Sequence, residues 1–210
     1  MNFQALTRRV ARLTTDIVVR RPRLWFLLRP VTRFQFDRLA PQWDAIRDSE
    51  SAYAPYEAAL KRVEPPPKRA LDLGTGTGGA AFAIARQFPS AEVVGADLAE
   101  RMIEQARRNL TDDLSDRVRF EVADASKLPY EDASFDLVGL SNMIPFFGEL
   151  DRVLVPGGFL IFAFSGGAET PIYVPPERLR AELERRGFTD FAEFSTDPGT
   201  ALIARKPDDP

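Results

Sequence analysis

The chain of 210 residues, 44% of them hydrophobic and 28% charged, is sized for one globular domain with a buried core plus an appendage. It contains no cysteine and no histidine, which removes disulfides, thiolate nucleophiles, cysteine-bound metal and the commonest metal ligand and general base; no metal is expected. The net charge of −3 is uneven: residues 1–40 carry nine arginines against Asp16 and Asp37, a local +7, so the rest lies near −10, an acidic body that argues against nucleic acid as a partner.

Phe3, Leu6, Val10, Leu13 and Ile17 recur at spacings of three and four, which predicts an amphipathic helix over residues 3–17. Pro22 and Pro30 are expected to interrupt the chain on either side of LWFLL (24–28). That run is too short for a membrane span or a secretory core, and the protein is expected to be cytoplasmic. A second helical pattern passes through Phe36, Leu39, Trp43 and Ile46, and a third covers residues 51–63 up to the stiff EPPPK (64–68). This breaker sets the expected boundary between a helical N-terminal arm and substrate cap, 1–63, and a main domain, 64–210.

From residue 69 strands alternate with helices. Strands are expected at 69–73, 91–97, 118–124, 134–141 and 159–165, with helices from near Gly78, over 99–110, along GELDRVLV and over 176–187. FTDFAEFSTD and GTALIARK then predict a hairpin turning at Asp197-Pro198-Gly199. The expectation is an α/β fold: a Rossmann-like, mostly parallel seven-stranded sheet, helices on both faces, an antiparallel terminal hairpin and a helical N-terminal cap.

LDLGTGTGG (71–79) follows the first strand, where an open α/β sheet binds its ligand. Gly74, Gly76 and Gly79 fit the dinucleotide pattern G-x-G-x-x-G, while Gly74, Gly76 and Gly78 fit G-x-G-x-G. The loop alone leaves a dinucleotide and S-adenosylmethionine both open. Asp97, ending the second strand, can accept both hydroxyl hydrogens of a ribose. Asp124, ending the third, can accept from an adenine amino group while the Ala125 N–H donates to the ring. One carboxylate for the sugar and one for the base make a compact adenosine clamp.

ALDLGTGTGG, VVGADLAERMIEQAR, VADASKLPYEDASFDLV and LDRVLVPGGFLIF, in this order, resemble the successive motifs of class I S-adenosylmethionine-dependent methyltransferases, in particular the small-molecule subgroup with quinone C-methyltransferases. The resemblance covers residues 66–165 in detail. It implies that Gly74, Thr75, Gly76 and Gly78 lie against the methionine part of the cofactor, with Asp72 supporting its ammonium group. It also implies that Asp97 holds the ribose, that Leu98 and Met102 pack on adenine, that Asp124 and Ala125 read its edge, and that Ser141 lines the sulfonium side. Core packing for Leu98 and Met102, and turn capping for the two aspartates, remain alternatives.

Methyl transfer from a sulfonium needs chiefly alignment and desolvation, so an enzyme without histidine can perform it on an anionic, enolic or amine nucleophile. SNMIPFF (141–147) lacks the Asn/Asp-Pro-Pro-aromatic tetrad of amino-group methyltransferases, because Met143 and Ile144 separate Asn142 from Pro145. Carbon or oxygen is therefore the expected acceptor, on a small apolar or aromatic molecule. Asn142 and Tyr56 are the catalytic candidates; Asn142 could instead cap the next helix. Trp43, Tyr53, Tyr56 and Tyr173 are candidates to close over the site. A catalytically silent subunit of the same fold is the alternative function; a nicotinamide oxidoreductase is disfavoured by Asp124. The basic residues 1–40 admit three readings: contact with an anionic membrane surface, docking on the acidic body of the same or another subunit, or plain arginine bias, since 24 of the 28 basic residues are arginine.

Overall fold

The computed structural model describes residues 3–46 and 53–208, with side chains from residue 11 on except Ile46. The start of the expected third helix, and the inner stripe positions Phe3, Leu6 and Val10, fall outside the described residues or side chains. Helix α1 spans Phe3–Arg20, α2 Trp25–Leu39, α3 Trp43–Ile46 and α4 Ala54–Leu60. Strands β1 (Arg69–Leu73), β2 (Glu92–Asp97), β3 (Val118–Val122) and β4 (Phe135–Ser141) alternate with α5 (Gly79–Gln87) and α6 (Glu100–Asn109). Helix α7 (Phe147–Val153), β5 (Leu154–Phe164), α8 (Pro176–Glu184), β6 (Thr189–Thr196) and β7 (Gly199–Arg205) complete the chain.

The seven strands form one sheet in the order β3-β2-β1-β4-β5-β7-β6. The first five in that order run parallel, whereas β7 pairs antiparallel with both β5 and β6. Four of the five residues of β1 and six of the seven of β4 are buried, as strands covered on both faces require. One face carries α4, α5 and α6 over Leu60, Ile84, Ile103, Leu137 and Ile161; the other carries α7 and α8 over Leu71, Phe135, Leu150 and Phe162. Alanines let α5 sit close: Ala80, Ala81, Ala83 and Ala85 are all buried. At the β6 edge, exposed Asp190 and Glu193 oppose pairing with another chain.

Three local expectations change. Pro30 lies inside α2 and does not end it; the carbonyl it leaves unpaired belongs to Phe26, and both residues are exposed to water. Pro156-Gly157-Gly158 sits within β5 as an irregularity of the β4–β5 register, because Leu154 already pairs with Phe135. Helix α4 packs against the sheet at β5, β6 and β7, so the segment lying over the strand ends is α2 and α3.

Candidate active site

Order along the sheet reverses between β1 and β4, and the glycine loop leaves β1 at that point. Gly74, Gly76 and Gly78 have φ of +74°, +54° and +97°, while Gly79 opens α5 without a left-handed backbone. The conformations that need glycine thus fall on G-x-G-x-G. Gly74 N and Thr75 N donate to Ala96 O at 2.8 and 3.0 Å, which folds the loop back across the end of β2. Beneath it, Thr75 Oγ1 donates to Asp72 Oδ2 at 2.6 Å, and Asp72 is fully buried.

Asp97 closes β2. Its Oδ2 accepts from Gly76 N at 2.9 Å and its Oδ1 from Ala99 N at 2.9 Å, so one carboxylate ties the glycine loop to the start of α6. Burial raises its pKa and outweighs the lowering by these backbone donors. Each oxygen still has an acceptor position for a sugar hydroxyl. The capping alternative is therefore present, and it leaves room for the binding role.

Asp124 lies two residues beyond β3, beside Asp97: Ala123 N donates to Asp97 O at 2.9 Å. Its Oδ1 accepts from Ser126 N (2.9 Å), Ser126 Oγ (2.8 Å) and Trp25 Nε1 (2.9 Å), and its Oδ2 from Arg29 at 3.0 Å. Burial pushes this carboxyl up, but the four donors outweigh it and hold the pKa below the usual range. Two of those donors come from α2. The N-terminal segment docks on its own body at this carboxylate, at Glu100 through Arg33 (3.1 Å), and at the Arg101 N–H through Asp37 (3.0 Å).

Side chains from the cap and from the β4 exit cover the loop. A Cβ added at Gly76 would lie 3.1 Å from Trp43 Nε1, and one at Gly74 would lie 2.8 Å from Met143 Sδ. Trp43 meets Phe36 edge to face at 5.5 Å, and Met102 is buried with Ala40 and Ala99 beneath them. Leu98 is half-buried, Ala125 buried, and Ser141 is buried at the end of β4.

Asn142 has φ +52°, and its amide is spent on one residue: Nδ2 donates to Ser165 Oγ at 2.9 Å and Oδ1 accepts from Ser165 N at 2.9 Å. It stitches the exits of β4 and β5 together and does not cap α7, which starts at Phe147 without a side-chain cap. Tyr56 is fully buried on the α4 face against Gly139, and burial, followed by Asp72 and Tyr53, raises its pKa well above the ordinary phenol value. A phenolate is disfavoured there. Tyr53 reaches Gly79, and Tyr173 packs on Phe164 at 5.1 Å. Trp25, Arg29, Phe36 and Met143 were not nominated from sequence. The available signal was the i, i+4 spacing of Trp25 and Arg29, which puts both on one helix face.

Residues 70–158 match a family described as a methyltransferase domain. The chain is 41% identical over 60% of its length to a demethylmenaquinone methyltransferase of Thermus thermophilus, covering 62% of that protein. It is 36% identical over 66% of its length to a malonyl-[acyl-carrier protein] O-methyltransferase of Halorhodospira halophila, covering 49% of it. Among such curated relatives the chain spans 40% to 62% of their length. A Methanococcus maripaludis protein provisionally assigned as an S-adenosyl-L-methionine-dependent methyltransferase superposes with TM-score 0.67 at 21% identity, over 83% of this chain and 94% of that one. Over residues 70–158 the chain is thus similar in sequence to methyltransferase domains, the quinone methyltransferases among them, and its seven-stranded sheet shares the fold of the solved methyltransferase-like structure.

Proposed function

We propose that this chain is an S-adenosylmethionine-dependent methyltransferase acting on carbon or oxygen of a small, apolar or aromatic molecule. One observation carries the reading: Asp97 ends β2 and Asp124 follows the adjacent β3 by two residues, beside a loop whose left-handed glycines are residues 74, 76 and 78. The demethylmenaquinone and malonyl-carrier relatives, one named for a quinone and one for O-methylation, support the acceptor class. No transmembrane-length apolar helix occurs among the described residues.

The residues fit the cofactor. The loop presents bare backbone at 74 and 76, against which the Met143 and Trp43 side chains lie, and Asp97 keeps acceptor capacity toward the cleft. In this reading Asp97 holds the ribose, Asp124 and the Ala125 N–H read the adenine, and Leu98 and Met102 pack on it. Gly74, Thr75, Gly76 and Gly78 lie along the methionine portion, with Asp72 beneath them and Ser141 on the β4 side. Trp25 and Arg29 are positioning residues that hold Asp124 ionised and aimed. At this site S-adenosylmethionine, when bound, would supply an electrophilic methyl group carried on a sulfonium. Trp43, Phe36 and Met143 exclude water from the cleft, and alignment of this kind contributes on the order of 7–11 kcal/mol in intramolecular models. With no histidine in the chain, an acceptor that is already enolic or anionic suits it best.

A catalytically silent subunit is the second reading, favoured by the engagement of Asn142 with Ser165 and the enclosure of the Tyr56 hydroxyl. Transfer of labelled methyl groups to a panel of phenols, quinones and acyl carriers decides between them. Turnover on any member supports the enzyme; cofactor binding without turnover across the panel supports the silent subunit.

A further inference from the structure

Helix α2 has two faces with different surroundings. Trp25, Arg29 and Phe36 point to the body, whereas Phe26, Leu27, Val31 and Phe34 are 66%, 60%, 59% and 66% exposed. Positions 26, 30 and 34, with 27 and 31, form one stripe along the outer side, and Pro30 within it is exposed as well. Half of the large hydrophobic side chains exposed on the described surface are these four. Water-facing aromatic and aliphatic groups on consecutive turns mark a contact surface.

The rim of this stripe is basic. Arg20, Arg21 and Arg23 lie exposed at its start and Arg38 at its end, and none of the four forms an ion pair among the described residues. The sole acidic residue of α2, Asp37, is turned inward to the Arg101 N–H. We infer that the outer face of α2 docks on an anionic lipid bilayer surface, with Phe26, Leu27, Val31 and Phe34 entering the headgroup boundary and the arginines pairing with lipid phosphates and carboxylates.

Charge selects this occupant over a second copy. A two-fold contact through the stripe would bring one arginine rim against another. The same asymmetry orients the protein on a membrane: the arm, at +7, is attracted while the body, near −10, is repelled. Docking places α2 between the bilayer and the Asp124 edge of the cleft. The inference goes beyond the proposed methyl transfer and does not depend on it.

Flotation of the full chain with phosphatidylcholine vesicles, with and without phosphatidylserine, tests it. The protein should float with phosphatidylserine vesicles, less so as salt rises, and remain at the bottom with phosphatidylcholine alone. Arg20→Gln/Arg21→Gln/Arg23→Gln should weaken partitioning about a hundredfold, and Phe26→Ser/Phe34→Ser should abolish flotation. Because the chain lacks cysteine, Val31→Cys can carry an environment-sensitive fluorophore, whose emission should shift blue on vesicles; a label at Glu184→Cys should not respond. Failure of the native chain to float, or flotation of the Phe26/Phe34 variant like the native chain, overturns the inference. So does sedimentation showing a native dimer that this variant dissociates. Thermal shifts with S-adenosylhomocysteine on the same samples keep the two readings separable: ligand binding without flotation sinks only the membrane contact, and flotation without ligand binding sinks only the cofactor assignment.

Discussion

Trp25 Nε1 donates to Asp124 Oδ1 at 2.9 Å, joining residues 99 apart in the chain, while Arg29 takes the other oxygen at 3.0 Å. The cap is thereby seated on the carboxylate assigned to adenine. Trp25 also meets Phe146 edge to face at 5.5 Å, a contact that phenylalanine would keep. Trp25→Phe with Arg29→Gln should therefore retain the fold, weaken S-adenosylhomocysteine about tenfold, and expose residues 20–46 to limited proteolysis. A charge-assisted bond is worth about 1.5–3 kcal/mol, less where half exposed, which sets that scale. Unchanged proteolysis would show that the pair does not hold the cap.

The two aspartates should respond to acid with opposite sign. Asp124 is held below its unfolded pKa of about 3.9 because its donors outweigh burial. Its stabilisation is present above that value and is lost as pH falls through the folded pKa. Burial raises Asp97 above the unfolded value, so its contribution is full below about 3.9 and is lost as pH rises through the folded pKa. Asp124→Asn should flatten the acid side of the Tm–pH curve and Asp97→Asn should steepen it. Calorimetry across the acid range reads this; shifts of the same sign would contradict it.

Tyr56 tests structure against catalysis. Its hydroxyl is buried with no hydrogen-bond partner among the described residues, and a Cβ at Gly139 would collide with it. Tyr56→Phe should stabilise by about 1 kcal/mol and leave turnover intact. Gly139→Ala should destabilise by about 1–3 kcal/mol through overpacking. Adding Tyr56→Phe should recover part of that loss, because the ring carbon stays 2.8 Å from the new methyl group. A large drop in turnover for Tyr56→Phe, with unchanged stability, would make it a catalytic residue.

Local chemistry was legible and long-range docking was not. Strand β1 ends where RALDL meets the glycines, and the terminal hairpin turns where Asp-Pro-Gly stands, because turn residues act within a few positions. Pro30 misled because a proline ends a helix only where the lost hydrogen bond cannot be replaced by water, and its face of α2 is wet. Asn142 could be singled out, but not its partner Ser165, which depends on strands β4 and β5 exiting side by side. For the same reason Trp43 was nominated as a cover and Trp25 was not: which aromatic reaches the cleft depends on how α2 lies across α6, a tertiary fact with no local signature.

The adenosine clamp is tested most directly by thermal unfolding with S-adenosylhomocysteine or NADH, for the native chain and for Asp97→Ala and Asp124→Ala. At a hundred times the dissociation constant, S-adenosylhomocysteine should add about 2.7 kcal/mol, or about 5–10 °C for a chain of this size. NADH should add nothing, and each variant should stay folded with a lowered unliganded Tm and lose most of the ligand-induced shift measured from its own baseline. Stabilisation by NADH alone, or full shifts with S-adenosylhomocysteine in both variants, would contradict the assignment.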